Sequence, residues 1–229
     1  MNIHLGKSSD LQVLQGHIDL PGKQIVDVGC GKGDFAAAIA GVGGTVTGVE
    51  PDPVQAAKNR EVTTVEGLTL VEAGAENLPL EDGSQDLLIF RFSLHHITPP
   101  LYPVIFREAA RVLRADGQLY VVEPVADGSA HYVMELYHDE TEVRACAQAA
   151  LKEDVTHYFT HKATFHYDVI RRHENFDNYL KRYGKQSYNC YSFEQVDNKS
   201  VKKRFMEYAQ KDGSVTLLQP VKADLFILA

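Results

Sequence analysis

What this chain of 229 residues lacks is the first guide to its chemistry. It has three cysteines, Cys30, Cys146 and Cys190, widely spaced and with no C-x-x-C pair. That set excludes a disulfide framework and a thiolate metal centre, and makes a reducing cytoplasm the expected location. No segment carries the run of about 20 apolar residues that a helix needs to cross a bilayer. Residues Met1 to Lys7 lack the basic and then apolar regions of a signal peptide. There is no basic excess either. Lys and Arg number 23 against 31 Asp and Glu, a formal charge of -8, which argues against nucleic acid as a general partner. Among histidines 131, 138, 157, 161, 166 and 173 only His157 and His161 are spaced i,i+4, and no H-E-x-x-H supports them, so no metal is expected. Internal repeats and low-complexity runs are absent, and the length suits one domain, residues 1–229.

What is present starts at Val26-Asp27-Val28-Gly29-Cys30-Gly31-Lys32-Gly33-Asp34-Phe35. Ile25 to Val28 reads as a short buried strand, and Phe35 to Ala40 starts a helix. The three glycines fall in the strand-to-helix turn, the crevice where open α/β sheets bind nucleotides. Without Cβ atoms the backbone there takes positive φ and lets a ligand approach closely. A dinucleotide turn would spell G-x-G-x-x-G, and its third glycine would fall at Asp34. Asp27 and Asp34 around the loop would repel a pyrophosphate and attract an ammonium or sulfonium. Thr45 to Glu50 is a second β-branched strand, and Glu50 stands 17 residues past Gly33, near where a carboxylate takes a ribose diol in such sheets.

This combination resembles motif I and the following acidic motif of the class I S-adenosylmethionine-dependent methyltransferases, with the quinone-biosynthesis-like subgroup as the nearest flavour. Gly74-Ala75-Glu76-Asn77-Leu78-Pro79 looks like the family's adenine-contacting segment. Phe90 to Ile97 looks like the end of its fourth strand, and Arg111 to Val122 like its helix and turn into the fifth. The resemblance covers residues 20–125 and implies S-adenosyl-L-methionine as cofactor, S-adenosyl-L-homocysteine as product, and a small-molecule acceptor. It implies a Rossmann-like three-layer α/β sandwich with a mostly parallel seven-stranded sheet and an antiparallel C-terminal edge hairpin. A partly helical substrate cover is expected over residues 124–190, where the strand-helix alternation fades. Ala130 to Lys152 reads there as one long helix and Thr156 to Tyr167 as a strand.

Carried over by position, Gly29, Cys30, Gly31 and Gly33 would lie along the methionine portion of the cofactor, Cys30 through its backbone. Asp27 would offer charge to the ammonium. Glu50, followed by Pro51, would accept hydrogen bonds from both ribose hydroxyls, as two carboxylate oxygens allow. Glu76, Asn77 or the Ala75 backbone would receive the adenine amino group. Arg91 and Phe92 end the fourth strand; Arg91 beside a cationic ligand would point toward the ligand's carboxylate end, pair with an acid, or serve through its main chain, and Phe92 would form an apolar wall or pack as core. His95 is the candidate base, because neutral imidazole accepts a proton near pH 7; capping or packing is the other reading of His95-His96. Tyr132, Tyr137, His138 and Tyr158 are candidates for an acceptor pocket. Modification of RNA or protein, and a non-catalytic nucleoside-binding module, remain the competing functions.

Overall fold

The computed structural model describes residues 1–61, 65–184 and 191–229; Cys190 and the last residues of the expected cover lie outside them. In chain order the elements are β1 (Asn2–Lys7), α1 (Asp10–Gln15), β2 (Gln24–Val28), α2 (Asp34–Ala40), β3 (Thr45–Glu50), α3 (Pro53–Glu61) and β4 (Leu68–Glu72). Next come β5 (Gln85–Arg91), α4 (Tyr102–Val112), β6 (Leu113–Pro124), α5 (Gly128–Met134) and α6 (Thr141–Ala150). The chain ends with β7 (Phe159–His173), α7 (Phe176–Tyr183), α8 (Phe193–Val196), α9 (Lys199–Met206) and β8 (Val215–Leu228).

The strands form one sheet in the order β1-β7-β8-β6-β5-β2-β3-β4. Strands β2 to β6 pair in parallel, and β8 runs antiparallel to both β6 and β7. The architecture is the one expected, with one strand more. β1 pairs in parallel with β7, so the hairpin is not the sheet's edge. Successive residues of a strand face opposite sides of the sheet, and here both sides are buried. Val26, Val28, Leu88 and Phe90 pack under α4, whose Ile105, Phe106, Ala109 and Val112 form one apolar stripe. Ile25, Leu87, Ile89 and Tyr120 face the other way, against Val13 and Leu14 of α1 and Phe35, Ala36 and Ile39 of α2.

A third apolar cluster belongs to the cover. Ala130, Val133, Phe176 and Tyr179 pack there with Val196, Val201, Phe205 and Val215, so its core draws on residues beyond 190. The long helix expected from Ala130 is two helices. The Asp139 side chain accepts from the Thr141 backbone N–H at 3.0 Å, an Asx turn that competes with helical bonding. The break places residues 135–140 in a connection between the two helices. β7 runs six residues past its expected end because β8 offers it a partner down to His173↔Val215. Among the described residues no helix is long and apolar enough to cross a membrane.

Candidate active site

From β2 the chain neighbours turn both ways, to β3 on one side and β5 on the other. That reversal opens a crevice at the carboxyl ends of the strands. The ends of β2, β3, β5 and β6 meet there in one cavity of about 920 Å³. Asp27, Gly29, Cys30, Gly31, Glu50 and Pro51 line it on one side; Ala75, Glu76, Arg91, Phe92 and His95 also reach its wall. Eleven of the thirteen candidate residues are thus brought together. Gly33 and Asn77 are not on the wall. Gly33 caps α2 at φ +78°, and a Cβ there would come within 3.0 Å of Leu70, so it serves packing behind the loop. The Asn77 backbone N–H donates to the Gly74 carbonyl at 3.3 Å, which turns the residue off the wall.

The loop is held by side chains. Glu50 Oε2 accepts from the Gly31 N–H at 2.8 Å, and Oε1 accepts from the Asp52 N–H at 2.8 Å. Asn59 donates through Nδ2 to the Gly31 carbonyl at 2.7 Å and is itself fixed by Gln55 at 2.7 Å. A carboxylate has room for about four hydrogen bonds, so Glu50 retains acceptor sites after its two backbone donors. Burial pushes its carboxyl above the usual range despite those donors. Burial also lifts Asp27 to about 7, with Arg91 opposing the rise and Glu50 adding to it. The Cys30 thiol is pushed up by burial and by the carboxylates of Asp27 and Glu50; it stays protonated and unreactive, so only its backbone serves the loop.

Of the alternatives open to Arg91, the structure shows pairing with an acid. Its Nε donates to Asp10 Oδ2 at 2.6 Å and its Nη2 lies 2.5 Å from the same atom, while Tyr167 donates to Asp10 Oδ1 at 2.8 Å. The guanidinium sits over Phe35 and Phe92, 4.7 and 4.6 Å from their ring centroids. Phe92 has φ +56°, and among the described residues no other non-glycine residue has positive φ. Such strain persists only where neighbours fix it, here including its N–H bonded to the Val122 carbonyl at 2.8 Å.

Opposite the loop, His95 is buried in a short 3-10 turn at Leu94–His96. Its Nδ1 is hydrogen-bonded to Glu123 Oε2 and its Nε2 lies 3.4 Å from Glu140 Oε1. Burial alone would lower its pKa; Glu123 and Glu140 outweigh that and lift it to about 9. His95 therefore holds its proton at neutral pH, and a free base is not what this arrangement supplies. Burial and the neighbouring His95 push His96 down to about 4. Glu140 is held well below the carboxylate range: burial opposes this, but His138, His95 and Arg144 prevail.

Of the proposed acceptor-pocket residues only His138 lines the cavity. Tyr132 is exposed, Tyr158 packs on the core beside α4, and Tyr137 is buried with its hydroxyl 2.6 Å from that of Tyr179. His157 bonds the Asp154 carbonyl, and His161 approaches Thr164 and Asp224. Sequence reasoning passed over Asp10, Glu123, Glu140 and Arg144. The signals were present: Ser9 to Gln12 forms a capping box around Asp10, Glu123 is an acid ending an apolar strand, and Glu140 and Arg144 are an i,i+4 pair.

Residues 26–121 match the family model described as a methyltransferase domain. The chain is 31% identical over 111 residues to a ubiquinone biosynthesis O-methyltransferase of Vibrio parahaemolyticus, covering 47% of this chain and 46% of that protein. It is 34% identical over 106 residues to a demethylmenaquinone methyltransferase of Staphylococcus aureus, 44% of this chain and 43% of that one. The chain thus spans about half the length of the curated relatives it matches. A putative methyltransferase from Bacillus halodurans shares the fold over 96% of this chain and 99% of its own, with TM-score 0.61 and 20% identity. Over residues 26–121 this chain thus matches the methyltransferase-domain model, on a fold it shares with that Bacillus halodurans protein.

Proposed function

We propose that the whole chain transfers a methyl group from S-adenosylmethionine to a small organic acceptor. The observation that carries this reading is Glu50, a buried carboxylate that ends β3, clamps the Gly31 N–H and faces the same cavity as the glycine loop. The donor set suits the cofactor. A Cβ added at Gly31 would meet nothing within 4 Å, so the loop backbone fronts open space. Among the cationic side chains on the cavity wall, Arg91 is already paired with Asp10. Glu50 would hold the ribose hydroxyls, Ala75 and Glu76 the adenine, and Asp27 the ammonium. Once bound, the cofactor supplies an electrophilic methyl carbon on a sulfonium.

The chain's own contribution is positioning, which in well-oriented systems is worth about 7–11 kcal/mol. Phe92 gives the cavity an apolar wall, and Met134, His138 and Tyr183 of the cover bound its far side. A cavity of this size suits a small molecule, and the acidic net charge favours that class over RNA. The quinone-pathway names of the matched relatives support an acceptor of that general kind. Free thiols at Cys30 and Cys146 agree with a cytoplasmic location.

S-adenosylhomocysteine at about 100 times its dissociation constant should stabilise the protein by about 2.7 kcal/mol in thermal unfolding. NAD should leave the midpoint unchanged; the reverse pattern would overturn the reading. Labelled donor incubated with cell extract should put label in the small-molecule fraction, and label confined to RNA or protein would redirect the acceptor class.

Asp27 gives a pH signature. In the free protein its carboxyl is neutral below about 7, whereas a cation beside it favours the ionised form. Binding therefore releases a proton. Affinity for S-adenosylmethionine should climb by up to about tenfold per pH unit below 7 and level off above it. Titration calorimetry at pH 6 and 8 checks this, and Asp27→Asn should abolish the dependence. A slope that persists in the variant would assign the proton to another group.

A further inference from the structure

The connection between α5 and α6 brings a third kind of chemistry to the cavity wall. Among the described residues, His95, His96 and Glu140 present ligand atoms that all lie within 4.8 Å of one another. His138 joins them. One carboxylate oxygen, Glu140 Oε1, has three imidazole Nε2 atoms around it: His138 at 2.8 Å, His95 at 3.4 Å and His96 at 3.9 Å. Ligands arranged tetrahedrally at metal bond lengths of about 2.0–2.1 Å stand about 3.3 Å apart. The observed separations bracket that value. The His138 Nε2 is buried and makes no hydrogen bond, although Oε1 is close: proximity is there without the alignment that bonding requires.

The supports behind these atoms are those of a ligand shell. Metal-bound histidines commonly turn their other ring nitrogen to a carboxylate, which fixes the tautomer and the ring plane. His95 does so through Nδ1 to Glu123, whose other oxygen accepts from the Leu94 N–H at 3.1 Å. Glu140 keeps Oε1 toward the imidazoles because Arg144 takes Oε2 at 2.5 Å. Glu123 and Glu140 attract a dication, and the metal takes the place of the proton on His95. All four ligand side chains line the cavity, so an ion can reach them from solvent.

We propose that His95, His96, His138 and Glu140 bind one divalent first-row transition-metal ion. Three imidazoles with one carboxylate and no thiolate suit Zn²⁺ or Co²⁺ better than Mg²⁺, which favours oxygen donors. Sequence spacing concealed the set. Adjacent histidines in the turn after β5 and an H-x-E in a helix break belong to no metal-binding pattern. The inference rests on the cluster alone and does not require the methyl-transfer reading.

The test uses the full chain, stripped with chelator and dialysed against Zn²⁺, Co²⁺ or Mg²⁺ separately. The expected result is one Zn²⁺ or one Co²⁺ per chain, with intense visible Co²⁺ absorption of the tetrahedral type and no stoichiometric Mg²⁺. His138→Ala and Glu140→Gln should each weaken uptake at least tenfold, and His157→Ala should leave it unchanged. Absence of stoichiometric Zn²⁺ and Co²⁺ uptake would overturn the proposal, as would uptake equal in His138→Ala, Glu140→Gln and the parent. Should Glu140→Gln fail to fold, His138→Ala decides, since that ring makes no hydrogen bond at Nε2. S-adenosylhomocysteine binding is measured on the same preparations. If it persists while metal uptake fails, only the metal site falls; metal uptake without nucleoside binding spares the site and removes the methyltransferase reading.

Discussion

Replacing Glu50 with Ala should weaken S-adenosylhomocysteine binding by a hundredfold or more, read by calorimetry. Two losses combine. The nucleoside loses the acceptor of its ribose hydroxyls, a charge-assisted interaction of about 1.5–3 kcal/mol. The loop also loses its clamp, because the Gly31 and Asp52 N–H groups both donate to this carboxylate. An unclamped loop must be ordered by the ligand at a cost to affinity. Glu50→Gln separates the two effects. Its amide keeps one acceptor oxygen and the side chain's shape, so it should cost about tenfold. An unchanged dissociation constant in Glu50→Ala would remove this acid from the binding site.

Gly29→Ala should destabilise the protein by about 2–4 kcal/mol in urea denaturation. Gly29 has φ +73°, where any side chain costs roughly 1–2 kcal/mol. The added Cβ would also lie 2.5 Å from Ser93 Cβ, closer than packed atoms approach. Ser93 must then shift, and its hydroxyl bond to the Val28 carbonyl at 2.6 Å is lost with it, worth about 1 kcal/mol. Gly31→Ala is the contrasting variant. It carries a similar backbone penalty at φ +56° but no contact within 4 Å. Its effect should fall on nucleoside affinity, with stability reduced by only about 1–2 kcal/mol. Equal stability of the two variants would show that the Ser93 contact carries no weight.

The parts of the site that a reader of the sequence finds are those written locally. Gly29, Gly31 and Glu50 follow from strand ends and a turn within 22 residues, and β2 and β3 emerge with their observed bounds almost unchanged. The parts that escape are pairings across the sheet. Arg91 meets Asp10 over a separation of 81 residues, and Glu123 meets His95 over 28. No periodicity encodes either. Strand β1 was passed over because Asn2 to Lys7 shows little burial and gains its structure from β7. His138 and Glu140 vanished into an expected helix whose break depends on one side-chain acceptor, Asp139. The candidate base illustrates a different limit. His95 was found as a residue, but its protonation depends on two carboxylates brought from distant segments.

The first strand docks on a partner that follows it by 162 residues, Asn2 against Thr164. On a ribosome the leading residues emerge long before that partner exists, roughly 10–30 s at ordinary elongation speeds. The half that carries the glycine loop, β2 to β6, has its own parallel pairings and is free to assemble during that interval. Asp10, next to β1, waits as well, because Tyr167 arrives with β7. Docking of β7 thus completes the support of Asp10 and, through it, of Arg91.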